Sequence, residues 1–361
     1  MTGKTPSVAA LVALALTLPL AAQEAPQGAP SPGEIVAAAP AADWVSIPAE
    51  DLLVMTLAPD PQGNARQVII QLMPAPFSQG WVGNIRTLAR AKWYDNISVN
   101  RVQDNYVVQW GDPNYDNPEA TGETKPLPKG LKVMGEDEYH IYLQEVFGRP
   151  IYPVTETQRV GALKSMLRFA GPEAQTLSEA DLERIGSTMR TIRADSFSLE
   201  TYVVDGWPIA MFESDGKSPT VAPTHCYGMV GVGRNYSPDT GSGAELYTVI
   251  GHAPRHLDRN IALVGRVIAG MEFLSSLPRG KGDLGFYAEE EFDKRTPILT
   301  VRVASDLPAA EQPKFEYLST ESESFAQYAD ARANRRDAFF IVPAGGADIC
   351  NIPVPVRPVA E

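Results

Sequence analysis

The stretch Asn100–Pro113, NRVQDNYVVQWGDP, decides how this chain is read. An arginine opens an aliphatic-aromatic run, which ends in a glutamine and a Gly-Asp-Pro turn. Runs of this kind bounded by turn residues read as two short strands. Arg101 is then either a charge at a strand edge or a group with a chemical task, and the sequence around it has to decide.

Upstream, DLLVMTLA and RQVIIQLMP are β-rich runs separated by a turn over Pro59–Asn64, which predicts a hairpin. Val68, Ile70 and Leu72 fall on one face, as a half-buried strand requires. Between the hairpin and the opening stretch lies SQGWVGNIRTLARAKWYDN. Trp81, Ile85, Leu88 and Ala89 recur at helical spacing, with Arg86 and Arg90 on the outer side. A hairpin, a packing helix and further strands fit a closed β architecture capped by helices.

Downstream, residues 114 to about 224 change character, with many charges and prolines. Bulky residues in DEYHIYLQEVFG mark this as an ordered insertion. SEADLERIGSTMRTIRAD predicts a helix: Ser178 and Asp181 make a capping-box-like start, and Leu182, Ile185, Met189 and Ile192 form one apolar packing stripe. From Cys226 the β-rich, glycine-rich character returns. After residue 305 a C-terminal extension (306–361) is expected to pack on the main domain, as a helix over SESFAQYADARANRRDAFF and a proline-punctuated strand over FIVPAGGADICNIPVPVR.

The N-terminus predicts export. Lys4 precedes the apolar run Val8–Ala22, which is interrupted by Pro19 and falls short of the roughly 20 residues of a bilayer span. Residues 1–22 therefore read as a signal peptide, leaving no stable membrane span after cleavage and a periplasmic location. Residues 23–43, rich in Pro, Ala and Gly, read as a flexible linker, and residues 44–305 as the main domain interrupted by the insertion. Only Cys226 and Cys350 are present, so an oxidising compartment permits one disulfide, with buried free thiols as the alternative.

Composition excludes several chemistries. With 31 Lys and Arg against 44 Asp and Glu, the formal charge of −13 disfavours a nucleic-acid partner, which needs a basic footprint. GMVGVGRNYSPDTGSG lacks the register of a dinucleotide or phosphate loop. His252 and His256 are four apart, but Pro254 breaks the helix that would align them on a metal. No Gly-x-Ser-x-Gly elbow occurs, and no cofactor is expected.

Two separated segments together resemble the cyclophilin-type peptidyl-prolyl isomerases. VIIQLMPAPFSQGWVGNIRTLARAKWYDNISVNRVQDNYVVQWGDP is similar to that family's strand, helix, Phe-His-Arg-Val-Ile strand and Gln-Gly-Gly-Asp-Pro turn. GMVGVGRNYSPDTGSGAELYTVIGHAPRHLDRNIALVGRVIAGMEFL is similar to its Met-Ala strand, Gly-Ser-Gln-Phe-Phe strand, Leu-Asp turn and Phe-Gly-Arg-Val ending. The resemblance implies a mainly β fold, an eight-stranded antiparallel barrel capped by helices. It also implies proline-containing polypeptides as partners and no metal or cofactor.

Carried over position by position, Arg101 matches the catalytic arginine and Gln109 the glutamine that binds substrate backbone. Tyr106, Val107, Val230, Tyr247, His256 and Leu257 fall on pocket positions. Glu245 takes the place of a substrate-binding glutamine. Asn100 replaces a histidine, Trp110 a glycine and Ile261, or neighbouring Asn260, a pocket histidine. Two readings follow: a prolyl isomerase assisting the folding of exported proteins, or a non-catalytic proline-peptide-binding module. Glu245 poses the sharpest question, because a carboxylate paired with Arg101 would compete for its donors.

Overall fold

The computed structural model describes residues 28–115, 120–143, 197–213 and 219–359. The signal peptide and the helix expected over residues 178–195 lie outside them. In chain order the elements are α1 (Pro32–Ala38), β1 (Trp44–Ser46), β2 (Leu52–Leu57), β3 (Arg66–Leu72), α2 (Gln79–Arg90), β4 (Ile97–Val102) and β5 (Val107–Gly111). The insertion carries β6 (Ile141–Tyr142), β7 (Glu200–Val204), β8 (Trp207–Phe212) and β9 (Thr220–Pro223). Then follow β10 (Met229–Val232), β11 (Leu246–Val249), β12 (Leu263–Ala269), α3 (Glu272–Ser275), β13 (Pro297–Val303), β14 (Phe315–Leu318), α4 (Glu323–Ala333) and β15 (Val356–Pro358).

Eight strands close into a barrel in the order β10-β11-β5-β4-β13-β2-β3-β12, every pairing antiparallel. The expected hairpin forms between β2 and β3, and Asp60 holds its turn by accepting from the backbone N–H of Gln62 and Asn64. Helix α2 closes one end of the barrel. Its Trp81, Val82, Ile85, Leu88 and Ala89 are buried with the barrel core, while Arg86 and Arg90 reach Asp51, Glu50 and Asp306 outside. The core is continuous with the insertion, whose Met134, Tyr139, Trp207 and Val221 join it.

Three features depart from the sequence expectations. Residues 28–43 of the expected flexible linker are ordered. Ser31 caps α1 through a capping box with Glu34, and Ile35 and Val36 pack on the cluster formed by Trp44, Leu318, Phe325 and Tyr328. The capping box and two aliphatic residues outweigh the Pro-Ala-Gly composition. Strand β3 is buried on both faces rather than one: Val68, Ile70 and Leu72 face the barrel interior, while Ile69 packs outward with Ile47, Val54, Phe315 and Tyr317. A three-stranded sheet, β1-β14-β15, supplies that outer cover. Finally, only the last two residues of FIVPAGGADICNIPVPVR, Val356 and Arg357, fall in a strand, β15; prolines and glycines remove ladder donors and side-chain packing along the rest. Ser322 caps α4 by accepting from the N–H of Phe325.

The insertion sheet, β6-β9-β8-β7, meets the terminal segments, since Val203 of β7 packs into the α1–α4 cluster. Cys226, just before β10, is disulfide-bonded to Cys350 of the C-terminal extension, with Cα atoms 5.0 Å apart. That bond closes a separation of 124 residues and ties the extension to the barrel.

Candidate functional site

The site is a row of residues crossing four strands on the outer face of the barrel. Arg101 of β4 lies opposite Gln109 of β5, Gln109 opposite Tyr247 of β11, and Tyr247 opposite Gly231 of β10. A β-bulge makes the first pairing. The register runs Val99↔Trp110 and then Arg101↔Gln109, so Asn100 is the extra residue. In an unbroken ladder Asn100 would oppose Gln109; the bulge re-aims the strand and brings the arginine there instead. Asn100 is buried and secures the irregularity, accepting from Ser98 Oγ at 2.6 Å and donating to the Gly111 carbonyl at 3.1 Å.

Arg101 is held from three sides. Its Nε donates to the Leu284 carbonyl at 2.7 Å, one terminal nitrogen donates to Gln109 Oε1 at 3.1 Å, and the other donates to Gln103 Oε1. The rings of Tyr106 and Phe286 flank the guanidinium, 5.7 and 5.5 Å from its carbon to their centroids. Leu284 and Phe286 belong to the loop before β13, which docks on β4 through Gly280 N–H to the Val102 carbonyl and Tyr287 N–H to the Asn100 carbonyl. A guanidinium has five N–H donors, so two remain after these contacts. Burial holds the Arg101 proton affinity below its ordinary value, partly offset by Tyr106 and Tyr247.

Beside this group is an apolar slot. Val107, Tyr247 and Val249 form its buried floor, and the half-buried Tyr106, Leu257 and Ile261 its walls. His256 is exposed at the rim, its ring parallel to that of Tyr106 at 6.4 Å between centroids. Gln109 accepts from Arg101 through its oxygen, and its amide nitrogen has no partner among the described residues. Among the described residues, N–H groups of both Arg101 and Gln109 are thus left over at the edge of a hydrophobic floor.

One open question is answered and one expectation is corrected. Among the described residues Glu245 does not pair with Arg101, whose three hydrogen bonds go to Leu284, Gln109 and Gln103. Its carboxylate lies over Gly111, where any side chain would collide with it. Glycine at position 111 supplies the space that keeps the acid off the arginine. Val230 does not line the slot: it is 1% exposed and packs in the barrel core. The residue facing the row is its neighbour Gly231, which alternation along the strand explains. Trp110 likewise points inward as core.

Sequence reasoning missed the loop that grips Arg101 and the layer beneath Tyr247. Leu284 contributes a backbone carbonyl and adopts φ +56°, which no side-chain motif announces. Under the floor, the Tyr247 hydroxyl meets His225 Nε2 at 2.9 Å, and His225 meets Asp258. The signal for this was available: a buried tyrosine needs a hydrogen-bond partner.

Known proteins give the following picture. A family model described as "Cyclophilin type peptidyl-prolyl cis-trans isomerase/CLD" matches residues 67–303. No curated protein sequence matches the chain. The crystal structure of the cyclophilin AquaCyp293 from Hirschia baltica is similar at a TM-score of 0.56 and 18% identity, covering 88% of this chain and 94% of that one. A cyclophilin-type peptidyl-prolyl cis-trans isomerase from Cryptosporidium parvum, solved in the presence of the dipeptide Ala-Pro, aligns over 70% of this chain and 96% of its own at 10% identity and a TM-score of 0.32.

Proposed function

The chain belongs to the cyclophilin-type peptidyl-prolyl cis-trans isomerase family, and from that premise we propose that it catalyses prolyl isomerisation, with Arg101 as the catalytic residue. The observation that carries this reading is the placement of the Arg101 guanidinium, with donors to spare, beside an apolar cluster that reaches the surface. Resonance in the amide gives the X-Pro bond a rotation barrier of about 18–20 kcal/mol. Rotation breaks that resonance and returns a lone pair to the prolyl nitrogen. A donor aimed at this lone pair finds a partner only in the twisted state, so it lowers the barrier without tightening the ground state.

Each residue has a part. Tyr247 and Val107, backed by the fully buried Val249, receive the prolyl ring, Tyr106 and Leu257 bound it, and Gln109 donates its amide N–H to a substrate carbonyl. Leu284, Gln103 and Gln109 fix the guanidinium so that no ordering is needed when the amide twists. No covalent step and no ion enter. Clients are proline-containing segments of exported proteins, and the support for export is the apolar run Val8–Ala22 after Lys4.

A second reading, a proline-peptide-binding module without catalysis, is favoured by the number of protein groups already bonded to Arg101. A protease-coupled or exchange-NMR assay on Xaa-Pro peptides separates the two. Wild-type acceleration lost in Arg101→Ala supports the isomerase. Peptide binding with equal, uncatalysed rates in both proteins supports the module.

A further inference from the structure

Beneath the floor of the slot lies a chain of buried polar groups that the isomerase chemistry does not use. His225 has no exposed surface. Its backbone N–H donates to Asp258 Oδ1 at 2.9 Å, and its ring Nδ1 lies 2.9 Å from the same oxygen. Asp258 Oδ2 accepts from Arg255 Nε at 2.6 Å. A carboxylate so placed accepts and does not donate, so the imidazole proton sits on Nδ1. Nε2 is then a lone pair, and the Tyr247 hydroxyl 2.9 Å away donates to it. The ring planes of His225 and Tyr247 lie 12° apart, consistent with an in-plane bond between them.

The opposite side of Tyr247 explains why such an anchor has something to do. Its cross-strand neighbour is Gly231, and any side chain there would collide with the tyrosine ring and hydroxyl. The ring therefore lies over bare backbone, with no side chain on β10 to brace it. A phenylalanine at this position would keep its apolar neighbours but lose the one bond that fixes the far end of the ring.

We propose that the Asp258–His225 pair is a positioning device for the slot: by accepting the Tyr247 hydroxyl it pins the aromatic floor over Gly231 and sets the slot's affinity for the prolyl ring. This rests on the isomerase reading, in which the slot receives proline. The pair touches no substrate, so its effect falls on binding and leaves the Arg101 step alone.

The test uses the full chain and a proline peptide substrate. Tyr247→Phe removes one oxygen and is expected to raise KM about 3- to 10-fold with kcat within about twofold, the size of one buried hydrogen bond. His225→Leu is expected to raise KM equally, and the double variant no further, because both break the same bond. His225→Gln restores an acceptor near the Nε2 position and is expected to recover most of the loss. An unchanged KM in Tyr247→Phe, or effects that multiply in the double variant, overturns the proposal. Imidazole ¹⁵N spectra of the wild type and Tyr247→Phe test the bond without any substrate: a protonated Nδ1 and an Nε2 signal that shifts on loss of the hydroxyl support it, and an unshifted Nε2 overturns it. A wild type that neither isomerises nor binds Xaa-Pro peptides rejects the isomerase reading and the positioning role with it, even where the spectra confirm the bond.

Discussion

Arg101 and Arg266 both leave the barrel on its outer face, and burial lowers the proton affinity of both. Their surroundings differ in one respect. Arg266 of β12 is sealed under the insertion: Nε donates to Gln71 Oε1 at 2.8 Å, a terminal nitrogen donates to the Gly206 carbonyl at 2.9 Å, and Trp207 covers the guanidinium at 4.5 Å. Gly206 and Trp207 belong to the β7–β8 hairpin, so this arginine joins barrel to insertion. Arg101 is gripped by a loop along one edge only and stays half-buried at the mouth of a slot. Closure by an added element makes one arginine a fastener, and partial closure leaves the other available to a ligand.

The largest expected effect separates these roles directly. On the isomerase reading, Arg101→Ala lowers kcat/KM by about 10²- to 10³-fold, the usual scale for removing one preorganised donor, with little change in melting temperature. Arg101→Lys is expected to recover little, since a single ammonium cannot reach the Leu284, Gln103 and Gln109 oxygens from one planar fork. Peptide isomerisation and thermal unfolding of the same samples check both statements. Arg101 variants that melt early while keeping wild-type rates would reverse the assignment and make this arginine the fastener.

The same contrast bears on what could be read from the sequence. Arg101 was legible because its neighbours Val102, Tyr106, Gln109, Gly111 and Asp112 keep a recognisable spacing, and α2 because Trp81, Ile85, Leu88 and Ala89 recur at helical period. Arg266 was not, because its partners lie 195 and 60 residues away and nothing local marks the pairing. The bulge at Asn100 was equally hidden: alternation alone would have set Asn100, not Arg101, against Gln109. Whether Glu245 pairs with Arg101 stayed open in the sequence because strand position gives the face of a side chain but not its direction along that face. The space over Gly111 decides that direction, and it exists only after β5 and β11 have paired.

Next in size is the covalent tie between the barrel and its additions. Loss of a disulfide that closes a long loop typically costs about 2–5 kcal/mol. Cys226→Ser with Cys350→Ser is therefore expected to lower stability by that amount in urea unfolding. The barrel's slot should keep its peptide affinity in the folded fraction, because neither cysteine lines it. A double variant with wild-type stability would mean that packing of the α1–α4 cluster alone holds the extension in place.

Arg266→Ala should cost less, about 1–3 kcal/mol, because two opposing terms meet there. Burial brings its pKa down to about 10, so holding the charge costs roughly 3 kcal/mol at neutral pH, a cost relieved only above about pH 10. Removing it recovers that, but strips the Trp207 face and leaves Gln71 and the Gly206 carbonyl without their donor. Isomerase activity is expected to stay at the wild-type level. A fall in activity as large as the fall in stability would show that the insertion and the slot are coupled, and the division between fastener and ligand-facing arginine would fail.

The smallest effect probes whether the open face has a sealed layer of its own. Burial holds the His225 imidazole below its ordinary value, against the raising pull of Asp258, with Arg255 and His256 adding to the depression. In the unfolded chain the same imidazole takes up a proton near pH 6.5. As pH falls below that point the unfolded state gains a proton that the folded state refuses, so this contribution to stability is present above pH 6.5 and lost with acid, by at most about 1.4 kcal/mol per pH unit. His225→Gln cannot titrate. Urea unfolding at pH 7.5 and pH 5.5 should then show a larger acid loss in the wild type than in the variant. Equal losses would mean that His225 protonates as readily inside the protein as outside, and that the layer behind Tyr247 admits water while the one around Arg266 excludes it.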